Sequence, residues 1–289
     1  MTPFVKMVAA GNDFVLLDTD SCGVPDDVSG LAVWACRPHS GIGADGLILL
    51  RRDGPDRLGV TVVNPDGSIA KMCGNGARCA AYYAFATGTS GPLTVELGRH
   101  TMRAWSRGGL VEVTSPEPDR IGGPVRLATK EIDTALDLYT VDTGTPYAVA
   151  IVPDADALDV NELGRFVRYH PHFAPDGLSV SVAQVRDDGL AVRTYERGNE
   201  EETLSCGSGA VACVAVARSL GLVSEGTVAA HTRSGTPLLV RIAGDAPPFG
   251  ALTLTGPAEV VFEGTFTGPA AAETPPGVPR PASPATPGR

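Results

Sequence analysis

The sequence predicts an α+β fold of two pseudo-symmetric domains, each a mostly antiparallel sheet wrapped around a buried central helix. Three observations lead there. Short β-branched runs set between glycines and prolines outnumber the helical stretches. Two segments, 74–87 and 207–220, are rich in alanine and apolar round most of their surface, which is the pattern of a helix buried on all sides. Both open on the same string, Cys73-Gly-Asn-Gly-Ala and Cys206-Gly-Ser-Gly-Ala, so the chain repeats itself once.

In chain order, strands are expected at 60–63, 93–97 and 110–113, then at 138–141, 148–152, 178–185 and 191–195, and finally at 228–231, 237–242 and 251–254. A third helix is expected over 159–169. The breaker-rich stretch near 115–135, beginning Ser115-Pro-Glu-Pro, marks the boundary between domains. The division is 1–120 for the Cys73 half and 121–264 for the Cys206 half, with the chain end free to return to the first. The last 25 residues, 265–289, hold seven prolines and few large apolar side chains. They cannot bury enough surface to offset their ordering entropy, so a disordered tail is expected.

Composition narrows the function. A net charge of −10 repels nucleic-acid phosphates, so no nucleic-acid partner is expected. No apolar run reaches the ~18 residues of a membrane span, and the N-terminus lacks the form of a secretory signal. A cytoplasmic location with reduced cysteines follows as the expectation. No Cys-x-x-Cys occurs and the histidines are scattered, so no metal is expected.

The repeated motif carries the chemistry. Each Cys-Gly-x-Gly sets a thiol where a strand gives way to a helix. Free N–H groups of the first turn converge there and the helix dipole adds positive charge. An anionic carboxylate can be held by such groups, and a thiol there is expected to become more acidic. Two such sites facing one cleft would present two thiols to one bound carboxylate. Inverting a stereocentre without a cofactor needs two opposed acid/base groups, because one base alone returns the proton to the face it came from. Cys73 and Cys206 are therefore the catalytic candidates, with no cofactor and a small amino-acid substrate. Cys79 and Cys213, deeper in the helices, are assigned to packing.

Seven motifs extend this reading: Gly11-Asn-Asp-Phe-Val, Gly41-Ile-Gly-Ala-Asp-Gly46, Asn64-Pro-Asp-Gly-Ser68, Cys73-Gly-Asn-Gly-Ala-Arg-Cys79, Tyr195-Glu-Arg-Gly198, Cys206-Gly-Ser-Gly-Ala and Thr255-Gly-Pro-Ala258. In this order they resemble the diaminopimelate epimerase family, pyridoxal-phosphate-independent epimerases of two pseudo-symmetric domains, from Lys6 to about Gly264. The resemblance implies that Cys73 and Cys206 are the acid/base pair and that Gly74, Asn75, Gly207 and Ser208 offer N–H groups to the substrate carboxylate. It implies substrate contacts from Asn12 and Asn64. Glu196 would meet the substrate ammonium or tune the thiols, and Arg197 would grip a distal carboxylate. It also implies a homodimer.

The chain departs from the family where the far end of the substrate is read. Gly144-Thr-Pro-Tyr147 stands in place of Gly-Asn-Pro-His, and Ser179 replaces a second substrate asparagine. Thr145, Tyr147 and Ser179 thus join the substrate-binding candidates. The loop 196–203 is one residue longer than the family's, has lost a glycine and has gained Glu200 and Glu201. Sites built on hydrogen bonds discriminate strongly. The alternative to a diaminopimelate epimerase is therefore an epimerase or racemase of a different amino acid in specialised metabolism. Two competitors come from further away. A phenazine-biosynthesis type of isomerase on the same fold would use a carboxylate and lack the cysteine pair, and a non-catalytic amino-acid-binding protein would have no use for two activated thiols.

Overall fold

The computed structural model describes residues 1–118, 120–128 and 135–267. The first half runs β1 (Thr2–Ala9), β2 (Asn12–Asp18), α1 (Thr19–Cys22), α2 (Val28–Ala35), β3 (Gly46–Arg52), β4 (Arg57–Val63), α3 (Gly74–Ala86), β5 (Leu93–Leu97), β6 (His100–Arg107) and β7 (Leu110–Thr114). The second runs β8 (Ile121–Leu127), β9 (Leu136–Asp142), β10 (Pro146–Ile151), α4 (Val160–Arg168), β11 (Ser179–Arg186), β12 (Gly189–Glu196), β13 (Glu201–Thr203), α5 (Gly207–Ser219), β14 (Gly226–His231), β15 (Pro237–Ala243) and β16 (Ala251–Gly256). The last strand, β17 (Glu259–Phe266), crosses back and pairs antiparallel with β1.

The pairing order shows the internal symmetry. In the first half it is β17-β1-β2-β3-β4-β5-β6-β7, and in the second β8-β9-β10-β11-β12-β14-β15-β16. Each run is antiparallel except at its third and fifth pairings. These are β2–β3 and β4–β5 in one half, β10–β11 and β12–β14 in the other. Helices bridge both parallel pairs, as a crossover requires. The halves join where β7 meets β16, with Thr114 opposite Thr253 and Val111 opposite Gly256.

Each sheet closes around one helix. α3 packs on β1 to β7 and β17, and α5 on β9 to β12 and β14 to β16. Ten of the thirteen residues of α5 are buried, nearly all of them Ala, Val, Gly or Cys. Small side chains let the strands approach from every side, and this is why two helices of low amphipathicity are stable in these positions. The outer faces of the sheets carry the other helices. α4 shows the local logic: Asp159 caps it by accepting the Glu162 N–H at 3.0 Å, Arg165 and Arg168 lie in its last turn, and Val160, Leu163 and Val167 form its buried stripe. Those three join Tyr195, Val180 and Val182 in a satellite core.

The sequence reading found ten strands and the three longer helices α3, α4 and α5, with ends shifted by a few residues. It passed over β1, β2, β3, β6, β8, β13 and β17 and the helices α1 and α2. β17 carries the chain to Phe266, two residues beyond the expected end of order at 264. The rest of the expected disordered tail, 268–289, lies outside the described residues.

Close packing of α4 against β12 supplies a test. A Cβ at Gly164 would lie 2.3 Å from Tyr195 Cγ and 2.4 Å from its Cβ, atoms fixed close to the backbone. Overpacking of this kind typically costs about 1–3 kcal/mol, more than the ~1 kcal/mol alanine gains over glycine in a helix. Gly164→Ala is therefore expected to lower the Tm, and an unchanged or raised Tm in thermal unfolding would show that α4 has room to shift.

Candidate active site

Strand direction gathers the site at one edge. β2 and β3 begin there and β4 ends there, as do their counterparts β10, β11 and β12. Asn12 opens β2, Asn64 follows β4, Thr145 precedes β10, Ser179 opens β11, and Glu196 and Arg197 close β12. Together with Cys73, Tyr147 and Ser208 these nine candidates line one cavity of about 500 Å³, mostly polar. Cys206 lies behind Tyr147 and Ser208 and is 5% exposed. Gly74, Asn75 and Gly207 sit in the first turns of α3 and α5 and are buried behind the cavity wall.

The two thiols occupy equivalent positions as N-cap residues of α3 and α5, both with extended backbone. The glycine three residues on makes room for each. A Cβ at Gly76 would meet Val62 Cγ2 at 2.9 Å, and one at Gly209 would meet Thr194 Oγ1 at 2.7 Å, with the neighbouring sulfur 3.3 Å away in both cases. The bonding of the two sulfurs differs. Cys73 Sγ caps its helix by accepting the Gly76 N–H at 3.2 Å. Cys206 makes no such cap; its Sγ lies 3.1 Å from Tyr147 Oη, which in turn lies 2.7 Å from Ser208 Oγ.

Acidified thiols were expected at these helix starts, and the structure corrects that expectation. Burial pushes the Cys73 thiol up to about 11; hydrogen bonds from the Gly76 and Asn75 N–H groups and the charge of Arg78 oppose this, while the Glu196 carboxylate adds to it. Burial likewise drives the Cys206 thiol well above its ordinary value, with Glu196 again adding, and Tyr147, the Gly209 N–H and Ser208 opposing. Desolvation of a thiolate outweighs the partial charges of a helix start when no ligand is present. Glu196 is itself raised by burial, offset in part by a hydrogen bond from Thr203.

Several candidates prove to be tied to one another. Asn12 donates to Asp45 at 2.7 Å and accepts from Asn75 at 3.0 Å. Asn75 donates also to the Ser205 carbonyl at 3.1 Å and accepts from Arg78 at 2.7 Å, which leaves a ligand only its backbone N–H. Ser179 Oγ accepts the Arg197 N–H at 3.0 Å, so it orders the turn carrying the arginine. The Arg197 side chain faces the cavity and forms no ion pair among the described residues. Glu200 is not a free acidic group. It accepts from Tyr169 at 3.0 Å, Tyr195 at 3.1 Å, the Gly198 N–H at 3.2 Å and Arg168 at 3.3 Å. Those four bonds hold it at φ +57, in the left-handed region. Sequence reasoning missed Asp45, Lys71, Arg168 and Asp176 on the cavity wall. Asp45 had a signal, since it sits in the Gly41–Gly46 motif; the others had none.

Two symmetric halves, each presenting a cysteine at the start of its central helix beside a polar cavity, define a fold shared with solved epimerases and racemases. A hydroxyproline epimerase from Agrobacterium vitis, solved with bound trans-4-hydroxy-L-proline, matches with a TM-score of 0.69 over 91% of each chain at 16% identity. A phenazine biosynthesis protein of the PhzF family from Bacillus anthracis gives 0.69 over 91% of this chain and 97% of its own, at 13% identity. Sequence comparison goes further. The diaminopimelate epimerase family model matches residues 4–115 and 139–261. The diaminopimelate epimerase of Aquifex aeolicus is 36% identical over 277 residues, covering 91% of this chain and 97% of its own. That of Moorella thermoacetica is 37% identical over 281 residues, covering 91% and 98%. The chain belongs to the diaminopimelate epimerase family and is an isomerase of the epimerase type.

Glu196 raises both thiols through like charge, so its neutral isostere tests the electrostatics directly. Glu196→Gln is expected to shift the pH dependence of Cys73 alkylation by iodoacetamide toward lower pH, read by peptide mass spectrometry. A shift to higher pH, or none, would show that the carboxylate does not govern the thiol.

Proposed function

We propose that the enzyme inverts the α-carbon of diaminopimelate by two-base proton transfer, with Cys73 and Cys206 as the acid/base pair and no cofactor. The observation that carries this reading is the mirrored placement of the two thiols at the starts of two symmetry-related buried helices. The substrate α-carboxylate would be held by N–H groups of the first turns, from Gly74, Asn75, Gly207 and Ser208, where partial positive charge also favours the carbanion. One sulfur removes the α-proton as a thiolate while the other, still a thiol, delivers a proton to the opposite face. The ammonium group would lie beside Glu196. Its arrival offsets the carboxylate charge that holds both thiols up, so binding itself prepares the base.

At the far end, Arg197 supplies a planar guanidinium that forms no ion pair among the described residues and suits a carboxylate, with Asn64 lining the same cavity. A second reading has one specific observation behind it. Ser179 spends its hydroxyl on the Arg197 backbone, and Thr145 stands where the family carries an amide, so the cavity offers fewer amide contacts than the family pattern. This supports a different amino acid with a distal anionic group. Both readings keep the same two cysteines and Arg197. In the first, the enzyme serves lysine biosynthesis.

The test is α-deuterium incorporation in D₂O under reducing conditions, read by mass spectrometry for LL-diaminopimelate and each common amino acid. Exchange with inversion at one α-carbon of LL-diaminopimelate is expected, the inversion falling by about 10²–10⁴-fold in Cys73→Ala and in Cys206→Ala. Arg197→Ala is expected to raise KM more than it lowers kcat. Faster exchange on another amino acid would replace the substrate. Inversion that survives loss of either cysteine would end the two-thiol mechanism; exchange with retention is what one remaining base would give.

A further inference from the structure

Tyr147 is almost fully buried at 2% exposure, yet it lines the cavity, and its hydroxyl lies between Cys206 and Ser208. Its position is set by the sheet. β10 lies between β9 and β11, which places Tyr147 opposite Val141 on one side and Ser179 on the other. Cys206, lacking the N–H cap that Cys73 enjoys, has this phenol as a hydrogen-bond partner instead.

We infer that Tyr147 is a positioning residue for Cys206, acting through a reversible hydroxyl chain, Cys206–Tyr147–Ser208, that turns round as the thiol ionises. This rests on the acid/base role proposed above for the cysteines. When Cys206 is a thiol, its S–H donates to Tyr147 Oη, and the Tyr147 O–H donates to Ser208 Oγ. When Cys206 has given its proton to the carbanion, both bonds reverse. Ser208 O–H then donates to Tyr147, and Tyr147 donates to the thiolate. No proton crosses from one residue to the next, so the balance is simple: one proton leaves sulfur for carbon and two hydroxyls rotate. The phenol stays protonated in both states, since burial holds it well above its ordinary value.

Ser208 ties this chain to the carboxylate cradle. It is the second residue of α5, and its carbonyl accepts from Thr143 Oγ1 at 3.1 Å, which anchors the helix start to the β9–β10 turn. The charged and titratable groups that face Cys206 are Glu196 from β12 and Tyr147 from β10, with Arg78 of α3 coming up beside Gly207. Glu196 disfavours the thiolate, and Tyr147 is the largest of the groups that favour it, ahead of the Gly209 N–H and Ser208, so the phenol takes at Cys206 the leading part that the Gly76 N–H takes at Cys73. Phenylalanine keeps the ring and removes only that donor.

The experiment measures the pH dependence of kcat/KM for α-deuterium exchange on diaminopimelate, or on whichever amino acid the wild type exchanges. Tyr147→Phe, Ser208→Ala and Cys206→Ala run beside it, with a Tm for each. Loss of a hydrogen bond to a charged group corresponds to roughly a tenfold change in ionisation. Tyr147→Phe is therefore expected to move the limb that Cys206 governs up by about one pH unit, the acid limb for the stereoisomer on which Cys206 is the base and the alkaline limb for the one on which it is the acid, with the Tm little changed. Ser208→Ala is expected to move it the same way by less. A drop in rate at every pH with the limb unmoved, or no drop, would overturn the proposal while leaving the two cysteines in their roles. Absence of exchange by the wild type, or inversion retained by Cys206→Ala, would overturn the cysteine mechanism and this proposal with it.

Discussion

One side-chain amide holds the two halves in register. Asn75, in the first turn of α3, accepts from the buried guanidinium of Arg78 and donates both to Asn12 on β2 and to the Ser205 carbonyl just before α5. Every other feature of the site is arranged around this bond between the two helix starts. An unpaired buried amide costs more than a hydrogen bond gains, so the network is satisfied as a unit or not at all. Arg78 extends it by donating to the Gly74 carbonyl at 3.5 Å, while its Nε, buried beside Gly256, has no partner in the structure. A fully buried cation with no carboxylate against it puts positive potential behind both helix starts, where the proposed substrate carboxylate would lie.

Symmetry of backbone has not meant symmetry of chemistry. The two central helices, their cysteine caps and the glycines that follow are equivalent, but the groups around each sulfur are not. One thiol is met by a backbone N–H and the other by a phenol. The flanks differ too. In the first half Asn12 is locked by Asp45, and in the second the matching edge is built from Thr145, Ser179 and Arg197. In the second half the loop 196–203 is pinned through Glu200 to Arg168, Tyr169 and Tyr195. An exposed acidic loop would have left Arg197 free to wander; this one fixes its neighbour's backbone instead.

The two central helices were legible because burial on all sides leaves a compositional mark that survives without structure. The strands with β-branched runs were legible for a similar reason. β1 and β2 were not, because both are buried on most of their length and carry Lys6, Asn12 and Asp13, residues that read as motif and not as strand. β8 contains Gly122, Gly123 and Pro124, which read as linker; it survives as a strand because β9 pairs with it around a register shift at that point. The candidate residues around the cavity were found by motif, whereas Arg168 and Asp176 come from an ordinary surface helix and the loop after it. Nothing in their spacing announces that the fold brings them to the same wall. The acidity of the thiols was the expectation that local reasoning got wrong: it weighed the helix start and left out the desolvation imposed by neighbours distant in sequence.

That error bears on how such a site works. A thiol held near 11 is a poor base at neutral pH, and a cavity that kept it ionised would have to stabilise the thiolate whether or not a substrate were present. Burial is the largest force against each thiolate, and the Glu196 charge is the one that a ligand can change. Glu196 disfavours the thiolate only while its charge is unmatched, and a bound ammonium matches it. The helix starts lose strength to water in the open cavity and regain it when a carboxylate and closure exclude the solvent. Cys73 and Cys206 thus need not be reactive in the resting enzyme. Under the proposed mechanism the amino-acid head group carries the charges that make one of them a base, and a ligand lacking either the ammonium or the carboxylate would leave both protonated.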